Sequence, residues 1–325
     1  MKSWNRKKTG LLVALLILLA IGGVLYKLAD RYLIEHVEMR VTTAAESTPA
    51  NGNNGGGGSG SGVQTETETD NTAVSSDDWS YHSSDIDISI RQVETGEGKE
   101  KITHYVADVQ LRNGASLSSA FAKNAFGRNI IENTSVIAAN NNALFAINGD
   151  YYGFRSDGVI IRNGTLYRNE PARTGLALYA DGTMKSYDET KKTAASLLAD
   201  GVTQTYSFGP ALVSDGKVAA DLEQVKIDTN FGNRSIQGAN PRTGIGLISA
   251  NHYLFVVVDG RKEGYSAGMT LSQFAQLFKE LGAVEAYNLD GGGSSTMVFQ
   301  GRVVNNPLGK ETERGVSDIL YVPAP

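Results

Sequence analysis

Nine residues near the C-terminus carry the strongest chemical signal: Asn288-Leu289-Asp290-Gly291-Gly292-Gly293-Ser294-Ser295-Thr296. A carboxylate follows the expected buried strand Val284–Leu289, and three glycines and three hydroxyls follow it. Glycine lets a backbone approach a ligand closely, and successive exposed N–H groups form an anion-binding nest. The pattern fits a phosphate or another anion held beside a reactive Asp290. The plainer alternative is a tight turn between strands, capped by Asp290, although three glycines exceed what such a turn requires. No Gly-Lys-Ser/Thr follows, so this is not a phosphate loop. Ser294 is not in a Gly-x-Ser-x-Gly elbow, and no histidine stands in a motif to activate it.

Other candidates are spread along the chain. Asn148-Gly149-Asp150-Tyr151-Tyr152 offers an amide, a carboxylate and two rings that suit a sugar. Arg242 opens a strand after Pro241, where it can clamp a phosphate bidentately or pair with a neighbouring carboxylate. Asp259-Gly260-Arg261 ends the apolar run Phe255–Val258 and reads either as part of a site or as a charged turn. Asn148–Gly153 and Asn288–Gly293 both read N-x-D-x-x-G, each after a helix and a strand. Each then reaches an arginine before a closing strand, Arg173 and Arg314. A true duplication would bring Asp150 and Asp290 to one cleft. Cysteine is absent, which excludes thiol catalysis, disulfides and Cys-zinc sites. No metal or cofactor is expected for catalysis, although clustered Asp and Asn side chains suit Ca²⁺.

The elements that must position these residues are mostly short strands. Val159–Arg162 and Thr165–Arg168 flank Asn163-Gly164, a strong hairpin signal. Similar pairs surround Asp181-Gly182, Asp215-Gly216 and Gln300-Gly301, and Ile245–Ser249 pairs with Tyr253–Val258. Thr270 and Gln273 form a capping box for a helix whose apolar face is Leu271, Phe274, Ala275, Phe278 and Leu281, ended by Gly282. A second helix is expected near 133–141, before the strand Ala143–Ile147. The fold class is therefore α+β: mostly antiparallel sheet with packed helices.

Six segments stand in order: Asn148–Tyr152, Phe208-Gly209-Pro210-Ala211-Leu212, Asn240-Pro241-Arg242-Thr243-Gly244, Val258-Asp259-Gly260-Arg261, the Ser266–Leu281 helix and Asn288–Ser295. This order resembles the phosphodiester glycosidase family from about residue 120 to the C-terminus. The resemblance implies hydrolysis of a sugar-1-phosphodiester at the glycosidic C–O bond. Asp290 would then be nucleophile or general base. Arg242, the Gly291–Gly293 backbone and Ser294 or Ser295 would hold the phosphate. Asn148, Asp150 and Asp259 would orient sugar hydroxyls or the attacking water, with Tyr151, Arg173, Arg261 and Arg314 around them. The family pattern often has glycine in place of Asp150, which favours Asp290 as the catalytic carboxylate. Two other readings stay open: a non-catalytic carbohydrate-binding or exopolysaccharide-assembly module, and a phosphodiesterase that cleaves P–O.

Charge is unevenly distributed over the 325 residues. Residues 1–42 carry +4, residues 43–78 carry −6 and residues 79–325 carry −3. A mildly acidic domain without a basic block excludes nucleic-acid binding. Residues 10–29 are apolar apart from Lys27 and follow Lys2, Arg6, Lys7 and Lys8, so they read as a membrane signal anchor with residues 1–9 inside. A cleaved signal peptide is the rival, but no small-x-small site closes the run. Either reading exports the rest. Residues 30–42 are expected to continue the helix as a stalk. Residues 43–78, with Gly55–Gly62 and no aromatic residue, are expected to be a disordered linker. Residues 79–325 form the domain. The oligomeric state is open.

Overall fold

In the long strands, side chains alternate between two cores. Ile86, Ile88 and Ile90 face one side, as do Tyr105, Ala107, Val109 and Leu111 on the neighbouring strand. Val106, Leu254, Val256 and Val258 face the other. A period of two with apolar residues on both faces marks a sheet covered on both sides. The computed structural model describes residues 6–41, 74–227 and 235–325.

The larger sheet has nine strands, antiparallel throughout. Its order is Lys217–Val218, Ala211–Ser214, Glu285–Asn288, Arg242–Ser249, His252–Val258, Ile102–Leu111, Ile86–Thr95, Ser80–His82 and Ser75–Ser76. A five-stranded antiparallel sheet lies against it, ordered Arg302–Val303, Met297–Phe299, Ala143–Asn148, Asp318–Pro323 and Ser118–Phe121. Phe145, Ile147, Phe299 and Leu320 of the smaller sheet meet Phe255, Val257 and Tyr287 of the larger one in a shared core. Helix Leu271–Glu280 covers the outer face of the larger sheet, and helix Thr134–Asn140 that of the smaller. The α+β reading therefore holds, as helix, sheet, sheet, helix.

The local signals explain these elements. Thr270 and Gln273 form the capping box, with the Gln273 N–H donating to Thr270 Oγ1 at 3.2 Å. Gly158–Arg162 and Thr165–Glu170 form the hairpin, with left-handed φ of 50° at Asn163 and 75° at Gly164. A Cβ on Gly244 or Gly246 would stand 2.8 Å from the Phe274 or Phe278 ring, so these glycines let the helix settle on the sheet. Helix Ala194–Ala199, beside a three-stranded sheet (Met184–Asp188, Thr174–Tyr179, Val202–Tyr206), was not signalled.

The N-terminal region differs from expectation. An apolar helix runs Arg6–Tyr32, with Gly10–Asp30 long and apolar enough to cross a membrane. It does not continue as a stalk. His36–Arg40 is a strand paired antiparallel with Ala125–Arg128. Most of the expected linker, residues 43–73, lies outside the described residues, as do residues 1–5 of the expected tail. Ser75–Ser76 already belongs to the larger sheet, and Asp77 accepts from the N–H groups of Trp79 and Ser80, so the fold begins before residue 79.

Gly244→Ala is expected to destabilise the domain by about 1–3 kcal/mol, the usual range for overpacking. Chemical denaturation measures this; wild-type stability would contradict the helix–sheet packing described.

Candidate active site

Two strands, one from each sheet, deliver the repeated motif to one place. Ala143–Asn148 ends at Asn148, and Glu285–Asn288 ends at Asn288. Asn148 is fully buried. Its Nδ2 donates to the Asp290 carbonyl at 2.7 Å, and its Oδ1 accepts from Thr243 Oγ1 at 2.8 Å and from the Thr296 N–H at 3.2 Å. Asn288 Nδ2 donates to the Gly209 carbonyl at 2.8 Å. Both asparagines therefore brace backbone. Asn148 was expected to orient sugar or water, but its amide is occupied in fixing the Asp290 loop.

Asp290 sits at the edge of solvent, with its side chain 11% exposed. Among the described residues, both hydrogen bonds to its carboxylate reach Oδ2: Ser294 Oγ donates at 2.6 Å and Arg314 Nη2 at 3.3 Å. Arg314 Nη2 also donates to Ser294 Oγ at 2.5 Å. Burial lifts the Asp290 carboxyl above its ordinary range, Arg314 and Ser294 pull it back, and the charge of Asp150 adds to the rise. The two carboxylates are thus close enough to feel each other.

Part of the glycine turn's backbone is bonded within the protein. The Gly292 N–H donates to the Pro241 carbonyl, and those of Ser294 and Ser295 to the carbonyls of Gly291 and Gly292. These three N–H groups are therefore not offered to an anion. The glycines also supply room. A Cβ on Gly291 would meet the Pro241 carbonyl at 2.7 Å, one on Gly292 the Arg261 guanidinium at 3.1 Å, and one on Gly293 the Arg314 side chain at 3.1 Å. Two exposed arginines thus flank the turn beside Asp290. Ser295 is buried, and its carbonyl accepts from Asn305 Nδ2 at 3.0 Å.

Asp150 is held from every side. Oδ1 accepts from the Tyr151 N–H and from Arg155 Nη2, both at 2.6 Å, and Oδ2 accepts from the Ser207 N–H at 2.6 Å. Its own N–H donates to Asp318 Oδ1 at 2.8 Å. Asp318 in turn takes the Arg162 guanidinium, with Nε at 2.8 Å. Burial pushes the Asp318 carboxyl up to about 6, Arg162 opposes this and Asp150 adds to it. Gly149 is obligatory here, since a Cβ would fall 2.3 Å from Asp318 Oδ1. Arg173 grips Asp157 with two bonds of 2.9 Å and donates to the Ser207 carbonyl at 3.0 Å. Tyr151 stacks on Phe154 with centroids 4.8 Å apart and meets Phe208 edge-on at 6.3 Å. Arg155, Asp157, Ser207, Phe154 and Asp318 were not found from the sequence, and Phe208 stood there only within a family segment. Arg155 and Asp157 stand five and seven residues after Asp150, a charge cluster that was a usable signal.

Two expected site residues, Arg242 and Asp259, are buried and bonded to protein groups. Arg242 is 3% exposed. Its Nε donates to the Met269 carbonyl, and its Nη2 to those of Ile236 and Gly238. Burial and the nearby Arg261 charge bring its pKa down to about 10. Two of its three guanidinium nitrogens therefore hold backbone carbonyls. Asp259 accepts from Asn305 Nδ2 and Tyr265 Oη at 2.7 Å each, and from the Asn306 N–H at 2.9 Å. Burial raises its carboxyl while these bonds lower it. Through Asn305 it supports the Ser295 carbonyl. Among the described residues, no group of three or more His, Cys, Asp or Glu is gathered to hold a metal. A cavity of about 370 Å³ lies elsewhere, lined by residues such as Leu117, Tyr179 and Asn251.

A family model described as phosphodiester glycosidase matches residues 141–323. The SPbeta prophage-derived uncharacterized protein YomE of Bacillus subtilis (strain 168) is 32% identical over 209 residues, covering 62% of this chain and 31% of its own length. N-acetylglucosamine-1-phosphodiester alpha-N-acetylglucosaminidase of Bos taurus is 30% identical over 110 residues, covering 34% of this chain and 20% of its own. The chain thus spans about a third and a fifth of these two curated relatives. Among solved structures, the catalytic domain of zebrafish N-acetylglucosamine-1-phosphodiester alpha-N-acetylglucosaminidase, auto-inhibited by its pro-peptide, superposes with a TM-score of 0.60 at 22% identity, covering 75% of this chain and 85% of that one. A hypothetical protein from Synechocystis gives a TM-score of 0.51 at 16% identity, covering 73% and 62%. These two likenesses concern the fold. The matched family region contains both strand-end motifs and more than half of the chain, and the chain belongs to the phosphodiester glycosidase family.

Proposed function

We propose that this chain hydrolyses a sugar-1-phosphodiester at the glycosidic C–O bond, with Asp290 as the reacting carboxylate. The observation that carries this reading is the contrast between the two acids. Asp150 has both oxygens occupied by an arginine and two backbone N–H groups, whereas Asp290 is bonded through Oδ2 at the solvent edge between Ser294 and Arg314. Asp290 either takes a proton from the attacking water or bonds to the anomeric carbon itself. The C–O bond breaks, its oxygen leaves with the phosphate, and water supplies the new hydroxyl. Arg314 and Arg261, on either side of the glycine turn, stabilise the phosphate charge. Tyr151, Phe154 and Phe208 form the wall for the sugar. Asp150 and Arg155 fix that wall, and Arg173 and Asp157 fix Ser207 beside it. The substrate class is an envelope glycopolymer, an exopolysaccharide or a lipid-linked sugar phosphate. The apolar helix acts as a signal anchor that leaves the domain outside the cytoplasm.

Asp290→Asn should reduce kcat by about 10²- to 10⁴-fold, the range for a removed acid–base group, with the circular dichroism spectrum unchanged. Wild-type turnover by this variant would sink the assignment. Hydrolysis in ¹⁸O water should place the label in the sugar; label in the phosphate would indicate P–O cleavage instead.

The pH profile gives an independent check. The Asp290 carboxyl lies above its ordinary range and must be ionised to act, so the acidic limb of kcat/KM should lie above the range of an ordinary carboxylate. Arg314 lowers this pKa, so Arg314→Gln should move the limb to still higher pH. A limb that moves down, or not at all, would separate Arg314 from the reacting carboxylate.

A further inference from the structure

The strand His36–Arg40 begins four residues after the apolar helix ends at Tyr32, and the domain is built to receive it. Gly127 has a φ of 158°, and a Cβ there would stand 1.9 Å from the His36 carbonyl, so its missing side chain is what lets the strand in. Asn129 Nδ2 donates to the Asp30 carbonyl at 3.0 Å and to the Ile34 carbonyl at 2.8 Å, which joins the helix end to the domain. Lys123 pairs with Glu35, and Arg168 stands 3.7 Å from Glu38. Val41 packs on the cluster of Phe121, Phe126, Tyr152 and Ile160. Leu33, Ile34, Val37 and Met39 are exposed beside the helix end, an apolar rim next to a helix of membrane-spanning length.

This docking site adjoins the cleft. The Asn129 N–H donates to the Gly153 carbonyl at 2.9 Å, and Gly153 is three residues from Asp150. Arg168 Nη1 donates to the carbonyls of Tyr152 at 3.0 Å and Arg155 at 2.8 Å. By chain reach, Asp150 therefore lies within about 20 Å of the helix end. The segment between Val41 and Val74 joins two strands that both rest on the domain, so its length does not set the distance from the membrane.

We propose that residues 30–41 dock the domain onto the end of its own membrane helix, and that its substrate is a sugar phosphodiester carried on a lipid of the same bilayer. The second half rests on the function proposed above. The chain has no cysteine, so a cross-link is unambiguous. His36 and Arg128 are register partners. In the full-length protein in phospholipid vesicles, the pair His36→Cys and Arg128→Cys should form an intramolecular disulfide in most molecules. It should hold the N-terminal fragment to the domain on a non-reducing gel after cleavage at a protease site inserted within Gly55–Gly62. The control pair His36→Cys and Lys185→Cys should not. Failure of the first pair, or equal yield from both, overturns the docking. The locked protein should then hydrolyse a hexadecyl N-acetylglucosamine-1-phosphodiester embedded in the vesicle within about twofold of the reduced protein. Loss of that activity with retention of the soluble methyl diester would show that the docked cleft faces away, and overturns the lipid-borne substrate. If neither diester is hydrolysed, the catalytic reading falls and the substrate class with it, while the cross-link alone judges the docking.

Discussion

The site depends on one buried amide. Asn148 ends a strand of the smaller sheet, yet its side chain bonds the Asp290 carbonyl, the Thr243 hydroxyl on the larger sheet and the N–H of Thr296. Its bonds thus link the two sheets at the edge where both motifs emerge. A buried polar group left without partners costs about 1–3 kcal/mol, so a fully satisfied amide here has one stable orientation. Asp290 is placed by that orientation together with the hydrogen bonds its carboxylate accepts from Ser294 and Arg314.

A second layer keeps the other half of the cleft rigid. The Arg162–Asp318 pair is buried, and Asp318 also receives the Asp150 N–H. Buried ion pairs are weak sources of stability, but removing one partner leaves an uncompensated charge, so such a pair tolerates little movement. Gly149 lets the two segments approach closely enough for this contact. Asp150, Arg155 and Ser207 are then aligned by bonds of 2.5–2.6 Å, and the Tyr151, Phe154 and Phe208 rings follow their backbones.

The sequence made some of this legible and hid the rest for physical reasons. Asp290 and the glycines stood out because their chemistry is local: a strand end, a carboxylate and residues of unusual backbone freedom. The capping box and the Asn163-Gly164 hairpin were legible for the same reason. Arg242 and Asp259 were singled out by residue type at a strand end, but type does not reveal whether a guanidinium faces carbonyls or solvent. Arg155 and Ser207 lie 52 residues apart and meet only through the fold. The anchor strand was the clearest misreading. Leu33, Ile34 and Val37 fit a helical face, whereas the partner that makes His36–Arg40 a strand is the glycine edge at Gly127, nearly ninety residues away.

The asymmetry of the two carboxylates bears on the chemistry. Ordinary glycosidases need a pair, one of them to protonate a leaving oxygen that would otherwise depart as a strong base. A phosphate monoester, with a second pKa near 6, leaves without that help. A cleft for such a leaving group needs one open carboxylate near the anomeric carbon and cations where charge gathers on phosphate. Asp150, saturated by Arg155 and by the N–H groups of Tyr151 and Ser207, is then free to serve as a fixed strut. In the proposed reaction Asp290, kept above its ordinary range by burial but restrained by Arg314, would keep the basicity that the bond-making step demands. Gly292 and Gly293, which admit Arg261 and Arg314, would supply the other requirement, while Gly291 admits the Pro241 carbonyl.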